Sequence, residues 1–366
     1  FAAHPAATKI LASARTLPAT VLRAEQSNTS LRYGDSLMVK LVRRLQSGPN
    51  PDEEMLRALA GIGFARVPPY VGGATWHASD GEMYPIALAQ AFVPNLGDGW
   101  SWMLQRLRDL PPDVVGTVLG EGSPEWLLGR RTGELHMALA QIDEPGFAPE
   151  PTTATSIAAH NHRVQNAVAQ SISLLSEEES RLPASLRGSL PAIIEGLRSA
   201  SVRSEGFAAE AGTQRIRVHG DYHLGQTLRT QDEDWVIIDF EGEPARPVAE
   251  RRQKTSALKD VSGMLRSFAY ARGVAERERS EDPGDPHRER IAAWETAARK
   301  AFLDGYRDAV SHAPVPLVPV DDAAFTPALA AWELDKALYE IAYEVRNRPD
   351  WVELPLRSLL PNVAHS

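Results

Sequence analysis

The sequence predicts an α+β protein in two unequal parts. A small β-rich lobe spans residues 1–93, and a larger, mainly helical lobe spans residues 94–366. Three observations support this division. Short β-branched and apolar runs, punctuated by turn residues, crowd into the first ninety positions. Apolar residues recur at helical spacing from Trp100 onward. Two short strand-like runs, around RVHGDYHLGQTL and WVIIDF, then interrupt the helical part.

In the first lobe, ATVLRAEQSNTSLRY reads as a strand, a polar turn and a second strand. Gly34-Asp35 is a turn signal, and LMVKLV behind it reads as a third strand. PNPDEEMLRALAGIGF opens with proline and acidic residues, which suit the positive end of a helix dipole. It continues as a short amphipathic helix ended by Gly61 and Gly63. MYPIALAQAFVP is a strand stopped by Pro94, and NLGDG after it reads as a hinge. In the second lobe, helical periodicity marks WSWMLQRLRDL, EWLLGRRTGELHMALAQI, NHRVQNAVAQSISLL and SLPAIIEGLRSA. It resumes after the strand pair in VSGMLRSFAYARGVAERE, RIAAWETAARKAFLDGYRDAV and AAWELDKALYEIAYEVRN. SEDPGDPHRER and SHAPVPLVPVDD are Pro/Asp-rich loops.

The formal net charge of −9 argues against a nucleic-acid partner, because phosphate backbones need a basic face. A local basic pocket for one small phosphate ligand stays allowed. The absence of cysteine excludes disulfides and thiolate zinc sites, and fits a reducing compartment. No apolar run approaches the ~20 residues that span a bilayer, and FAAHPAATKILASART lacks a signal-peptide pattern. The expectation is a cytoplasmic protein with no membrane partner. The missing initiator methionine leaves a fragment, a processed form or part of a longer polypeptide open.

HGDYHLGQ and IDFE concentrate the chemistry. His219 precedes Asp221 by two positions and Gln226 follows it by five, the spacing of the kinase catalytic loop H-R-D-x-x-x-x-N with glutamine for asparagine. Asp239 ends the run WVIID, in the place of the D-F-G aspartate. A lone H-x-D is usually a turn, but the second aspartate at this offset makes a phosphoryl-transfer centre the better reading. Asp221 would then face the acceptor hydroxyl, while Gln226 and Asp239 offer oxygen ligands to Mg2+. His219 and His223, four apart, would suit zinc only on a helix, and Gly220 and Gly225 argue against one. Lys40 in LMVKLV is a candidate cation for the phosphates of ATP, paired with Glu54 in preference to Glu53; its alternative is a solvated strand lysine. Ser27, Asn28, Thr29 and Ser30 could offer hydroxyls and N–H groups to those phosphates, although a polar hairpin is more often only a hairpin.

Outline and spacing together resemble the protein-kinase-like bilobal fold. EQSNTS, KLVRRL with GPNPDEE, HGDYHLGQ, IDFEGEPARPVAERRQK, LKDVSGMLRSFAYA and ELDKALYEIAYEVRNRPDW are similar, more narrowly, to the bacterial maltokinases. These belong to the aminoglycoside-phosphotransferase-like branch of that fold, free-standing or fused to a trehalose synthase. The resemblance runs from about Leu22 to Leu360. It implies ATP-dependent phosphorylation of maltose at its anomeric hydroxyl, feeding α-glucan (glycogen-like) synthesis, with fusion to or association with a trehalose synthase as a corollary. It also implies Asp221 as the catalytic aspartate, Gln226 and Asp239 as magnesium ligands and Lys40 on the nucleotide phosphates. Free-standing members carry an N-terminal cap before the EQSNTS hairpin, and only about twenty residues precede it here. A related branch phosphorylates glucosamine.

On the acceptor side, Trp332, Asp335, Lys336, Tyr339, Tyr343 and Arg346 share one face of the last long helix. Rings interleaved with charges suit a sugar, whose C–H faces stack while its hydroxyls pair; the competing reading is core packing. The resemblance places the acceptor site in this region, and His223 is a secondary candidate for it. Glu333, Glu340, Glu344 and Asn347 read as a mainly solvated stripe, and His136 as a satisfied core histidine. Glu241 replaces the D-F-G glycine, and no A-P-E segment follows, which disfavours protein substrates. Two alternatives stand beside a maltose kinase. One is a kinase of glucosamine or another amino sugar or aminoglycoside, for which an acidic pocket would suit better than one holding Lys336. The other is an inactive nucleotide-binding regulator.

Overall fold

Alternating apolar and polar residues in the first ninety positions fold into an antiparallel sheet with one covered face. The computed structural model describes residues 2–22, 28–79, 81–110, 119–244, 246–278 and 285–360. Along its first part run β1 (Ala2–Ala3), α1 (Thr8–Ala14), β2 (Ala19–Leu22), β3 (Asn28–Tyr33), β4 (Leu37–Val42), α2 (Pro51–Gly61), β5 (Tyr70–His77) and β6 (Met83–Ala91). The sheet order is β1-β5-β6-β4-β3-β2. Gly34, at φ +51°, turns β3 into β4, a backbone conformation that glycine adopts without a Cβ clash. α2 starts where its sequence dictates: the Asn50 side chain accepts the Glu53 N–H, Pro51 opens the first turn, and Asp52, Glu53 and Glu54 follow. The residues ahead of β2 add an edge strand, and Ala7 and Ala14 pack with Leu37, Val71 and Ala89 in a small second core.

β7 (Asn95–Asp98) is the NLGDG segment, read above as a hinge. It is instead a paired strand, because its backbone finds ladder partners in a second, three-stranded sheet. The turn into the helical part therefore falls on residues 92–94. α3 (Gly99–Arg108), α4 (Pro124–Ala140), β8 (Glu150–Pro151), α5 (Ala154–Glu177), α6 (Ala184–Arg187) and α7 (Leu190–Ala200) follow. Then come β9 (Gln214–Arg215), β10 (Thr227–Thr230), β11 (Trp235–Ile237), α8 (Val248–Arg251), α9 (Leu258–Arg277), α10 (Pro286–Val310), α11 (Asp322–Asn347) and α12 (Glu353–Leu359). β10 pairs with both β7 and β11 and is the middle strand of this second sheet.

The larger core lies among α4, α9, α10 and α11 and buries Tyr222, Trp235, Phe268, Phe302, Tyr306 and Trp332. It also takes in two residues assigned above to a solvated stripe. Glu344 is buried and accepts from Arg348 and Tyr270, and Glu340 pairs with the buried Arg266. Arginines on neighbouring elements, invisible to helical periodicity, hold these carboxylates inside. Among the described residues no helix is long and apolar enough to cross a membrane.

α4 and α10 approach through glycines. A Cβ on Gly129 would lie 1.9 Å from the Phe302 carbonyl oxygen, and one on Gly305 would lie 2.0 Å from that of Trp126. Gly305→Ala is therefore expected to force the two backbones apart and to lower stability by about 1–3 kcal/mol. Urea unfolding measures this; an unchanged midpoint would contradict the close packing.

Candidate active site

The loop from Arg217 to Gln226 is positioned from below by one carboxylate. Asp260, in the first turn of α9, is buried; its Oδ2 accepts the His219 N–H at 2.7 Å and its Oδ1 the Gly220 N–H at 2.9 Å. His136 Nε2 lies 3.1 Å from the same Oδ2, and His136 Nδ1 is 3.1 Å from the Tyr306 hydroxyl. Gly220 takes φ +87°, which swings the next residue, Asp221, out of the core. His219 Nε2 donates to the Ile238 carbonyl at 2.9 Å and its ring packs on Tyr222 and Phe240. His219 thus binds the loop to the segment that carries Asp239. His223 Nδ1 accepts the Gly225 N–H at 3.1 Å, shaping the turn into Gln226.

The β10–β11 pairing sets Gln226 and Asp239 side by side. Ile238 donates to the Gln226 carbonyl at 3.0 Å, and Gln226 Nε2 donates to Asp239 Oδ2 at 3.0 Å. Asp239 has φ +67°, a left-handed conformation that aspartate tolerates better than most residues. Lys40 on β4 reaches down from the sheet, with Nζ 2.7 Å from Asp239 Oδ1 and 2.8 Å from Asp52 Oδ2. Asp52 Oδ1 accepts the Phe240 N–H at 3.0 Å. Carboxylate oxygens of Asp52, Asp239 and Glu241 lie within 4.8 Å of one another. Burial, joined by the neighbouring Asp239, pushes the Glu241 carboxyl up to about 7, and Asn28 donates to it from β3.

The partner expected for Lys40 is thereby corrected. Glu54 does not meet Lys40; it pairs with the buried Arg217 at 2.8 Å and with Arg252 at 2.7 Å. Two residues along a helix turn the side chain by roughly 200°, so Asp52 and Glu54 cannot face the same partner. Glu53 is bound by the Tyr70 hydroxyl. The hairpin group is split as well. Ser30 lies opposite Lys40 and shares its face with Asn28; strand alternation turns Thr29 to the other face, which corrects its place among the candidates. Ser27 lies outside the described residues.

Asp221 meets α11 through Lys336, whose Nζ is 3.1 Å from Asp221 Oδ1 and 4.9 Å above the Tyr339 ring. Burial works to raise the Asp221 carboxyl, but Lys336 above all, with His223 and His219, outweighs it and brings the pKa to about 2. Glu243 adds a second carboxylate 3.8 Å from both Lys336 and Lys259, and binds Arg246. A cavity of about 130 Å³ opens beside Gly220, walled by Glu243, Arg246, Lys259, Asp335, Trp332 and His160. Asp335 is held there by Arg163. Tyr343 and Arg346, grouped above with the acceptor face, are not brought to this cavity: Tyr343 is 44 % exposed with Arg348 over its ring, and Arg346 is exposed. Sequence reasoning missed Asp52, Asp260, Glu243 and Arg163. The acidic run PDEE signalled the first; for the others no local pattern distinguishes them from surface charges.

A glucosamine kinase from Streptacidiphilus jiangxiensis is 31 % identical over 344 residues, 92 % of this chain and 72 % of that protein. The chain belongs to the family of the glucosamine kinases. A second glucosamine kinase, from Mycolicibacterium smegmatis, is 28 % identical over 338 residues, 91 % of this chain and 77 % of that protein. A solved structure of glucosamine kinase in complex with glucosamine, ADP and inorganic phosphate superposes with a TM-score of 0.74 at 26 % identity, covering 97 % of this chain and 82 % of the other. No family model matches the sequence. As a member of this kinase family the chain is an ATP-dependent phosphotransferase with a hydroxyl acceptor, using a divalent cation, typically Mg2+. The residues fit that ion: Asp52, Asp239 and Glu241 gather carboxylate oxygens, hard donors of the kind magnesium selects.

Next to the Trp332 wall of the cavity beside Gly220, Glu210 accepts from Ser256 and, at 3.1 Å, from Trp332 Nε1. Burial pushes its carboxyl up to about 7 against the pull of those two hydrogen bonds. The folded pKa lies above the ordinary 4.5, so the native state holds a proton that the unfolded chain has lost between those values. The stabilisation is full below about pH 4.5 and disappears as pH rises through 7. Glu210→Gln should remove this dependence. Its stability relative to wild type should rise by on the order of 2–3 kcal/mol between pH 4.5 and 7.5 in urea titrations, and parallel pH profiles would contradict the assignment.

Proposed function

We propose that this sugar kinase transfers the terminal phosphoryl group of ATP to a hydroxyl of an amino sugar, with glucosamine as acceptor. The observation that carries this reading is the 31 % identity to a glucosamine kinase across 92 % of the chain. It favours the amino-sugar alternative over maltose, and it lends no support to a partnership with a trehalose synthase. In this reading Asp221 orients the acceptor hydroxyl. A carboxyl with a pKa of about 2 is ionised at neutral pH but weakly basic, so it takes the proton late, when bond formation has made the hydroxyl acidic. Gln226 and Asp239 would hold magnesium, which supplies charge neutralisation on the transferring phosphate. Lys40, fixed between Asp52 and Asp239, would face the nucleotide phosphates from the sheet, beside Asn28 and Ser30. Asp335 and Glu243 would receive the acceptor in the cavity beside Gly220, with Trp332 as an apolar wall.

One observation favours the second reading, maltose. Lys336 puts an ammonium 3.1 Å from Asp221, and a cationic amino group near that position would be repelled. The amino group of glucosamine must then lie toward Asp335, away from Lys336.

Asp221→Asn is expected to lower kcat by about 10² to 10⁴-fold while leaving ADP–Mg2+ affinity, by calorimetry, nearly unchanged; wild-type activity in the variant would sink the mechanism. A coupled ADP-release assay over glucosamine, maltose, glucose and an aminoglycoside decides the acceptor. The highest kcat/KM is expected with glucosamine. Preference for maltose would install the second reading, and silence with every sugar would overturn both.

A further inference from the structure

The 3-10 stretch Ser201–Glu210 ends on a carboxyl shut away from solvent, as Glu210 is only 4 % exposed. Its backbone is pinned from the following turn, where the Thr213 N–H and hydroxyl both donate to the Glu210 carbonyl, at 3.0 and 2.8 Å. A carboxyl has two acceptor oxygens, and here each serves a different element. Oε2 accepts from the Trp332 indole on α11, and Oε1 from Ser256, just ahead of α9. Ser256 Oγ in turn accepts the Leu258 N–H at 3.2 Å. Its neighbour Thr255 exchanges both backbone hydrogen bonds with Ile216, at 2.8 and 2.9 Å. Trp332 and Lys259, three residues after Ser256, both wall the cavity beside Gly220, whereas Glu210 takes no part in that wall. One buried side chain thus joins two walls of the cavity from outside it.

The rest of the indole's surroundings hold it less sharply. His160 and Phe207 meet the ring edge-on, with centroids 5.0 and 5.2 Å away, and such contacts are soft toward rotation of the ring. The hydrogen bond from Nε1 is directional, and Trp332 is buried, so an indole stripped of this acceptor would have to turn in search of another. From this arrangement we infer that Glu210 is a positioning residue for the acceptor: it sets the plane of the Trp332 indole against which the sugar lies, and with it the width of the cavity toward Lys259. Its hydrogen bonds reach neither Lys40, Asp239 nor Asp221. The inference rests on the proposed function only in taking the cavity beside Gly220 as the acceptor's place, and it holds for whichever sugar enters there. Because the indole meets the sugar before and during transfer alike, Glu210 acts on acceptor binding and not on the chemical step.

Steady-state kinetics on the full chain test this, with the sugar that gives the highest kcat/KM. Glu210→Ala is expected to raise KM for the sugar by about tenfold, while kcat and KM for ATP stay within about threefold of wild type. Glu210→Gln keeps an oxygen for the indole and turns its amide nitrogen to Ser256, so its acceptor KM should stay within about twofold of wild type. Glu210→Asp, one methylene shorter, draws the acceptor oxygen away from the indole and should move KM in the direction of Glu210→Ala; it keeps the test open should the alanine variant not fold. In a Trp332→Phe background, which has no indole N–H, Glu210→Ala should add less than about twofold. Urea midpoints establish that each assayed variant is folded. Wild-type acceptor KM in both Glu210→Ala and Glu210→Asp, a full loss repeated in the Trp332→Phe background, or an equal rise in KM for ATP would each overturn the inference. Asp335→Asn separates it from the reading beneath, since Asp335 stands in the cavity wall itself. A raised acceptor KM in Asp335→Asn without one in the Glu210 variants overturns the inference alone; an unchanged acceptor KM in Asp335→Asn overturns the placement of the acceptor and the inference together.

Discussion

The candidate centre depends on a buried negative charge that takes no place in its cleft. Asp260 is held in the core by three donors, and two of them are backbone N–H groups of the very loop that presents Asp221. A buried carboxylate is costly unless every lone pair is engaged. Here that cost enforces geometry, since the loop can leave its position only by stranding the charge. His136 and Tyr306 extend the same network into α4 and α10, whose glycine contacts fix the spacing of the helices beneath. Helix packing, loop conformation and carboxylate placement are thus one chain of constraints.

Two ionic links tie the first sheet and α2 to the loops below. Lys40 joins β4 to α2 and to Asp239, and Glu54 joins α2 to Arg217, two residues before His219. α2 therefore holds both ends of the Arg217–Asp239 segment through side chains on opposite faces. Burial raises the energetic weight of these pairs, because losing one partner would leave the other charge uncompensated.

The division into sheet and helices was legible because period-two and period-3.6 patterns survive in the sequence, as in LMVKLV and AAWELDKALYEIAYEVRN. The two-residue strand β1 and strand β7 were not, since pairing, and not composition, makes them strands. In the site, the HGD and IDFE segments could be read because a hairpin fixes the distance between them. The choice between Asp52 and Glu54 could not, because it depends on the rotation of α2 about its axis. The acceptor face was drawn too long for a related reason. Trp332 to Arg346 covers roughly 21 Å of helix, far more than one small sugar, so sharing a stripe does not mean sharing a pocket. Trp332 is buried at the cavity wall, Lys336 reaches Asp221 over the Tyr339 ring, and Tyr343 and Arg346 have run past it. The cavity beside Gly220 was least legible of all, as its wall brings Glu243, Arg163 and His160 together from three distant stretches.

Strand β7 carries a mechanical consequence. With Asn95 already paired to Thr230 and Ala91 still paired to Leu37, only residues 92–94 connect the two sheets, and one of them is a proline with a fixed φ. The Phe92 N–H is tied to Ser36 as well. So short a tether cannot lengthen or slide. The opening between the sheets can change only as an angle, so any widening at the mouth is proportional to distance from this pivot. Lys40, on the strand next to β6, sits close to the fulcrum, and β2, two strands further along the sheet, lies toward the far end of the lever.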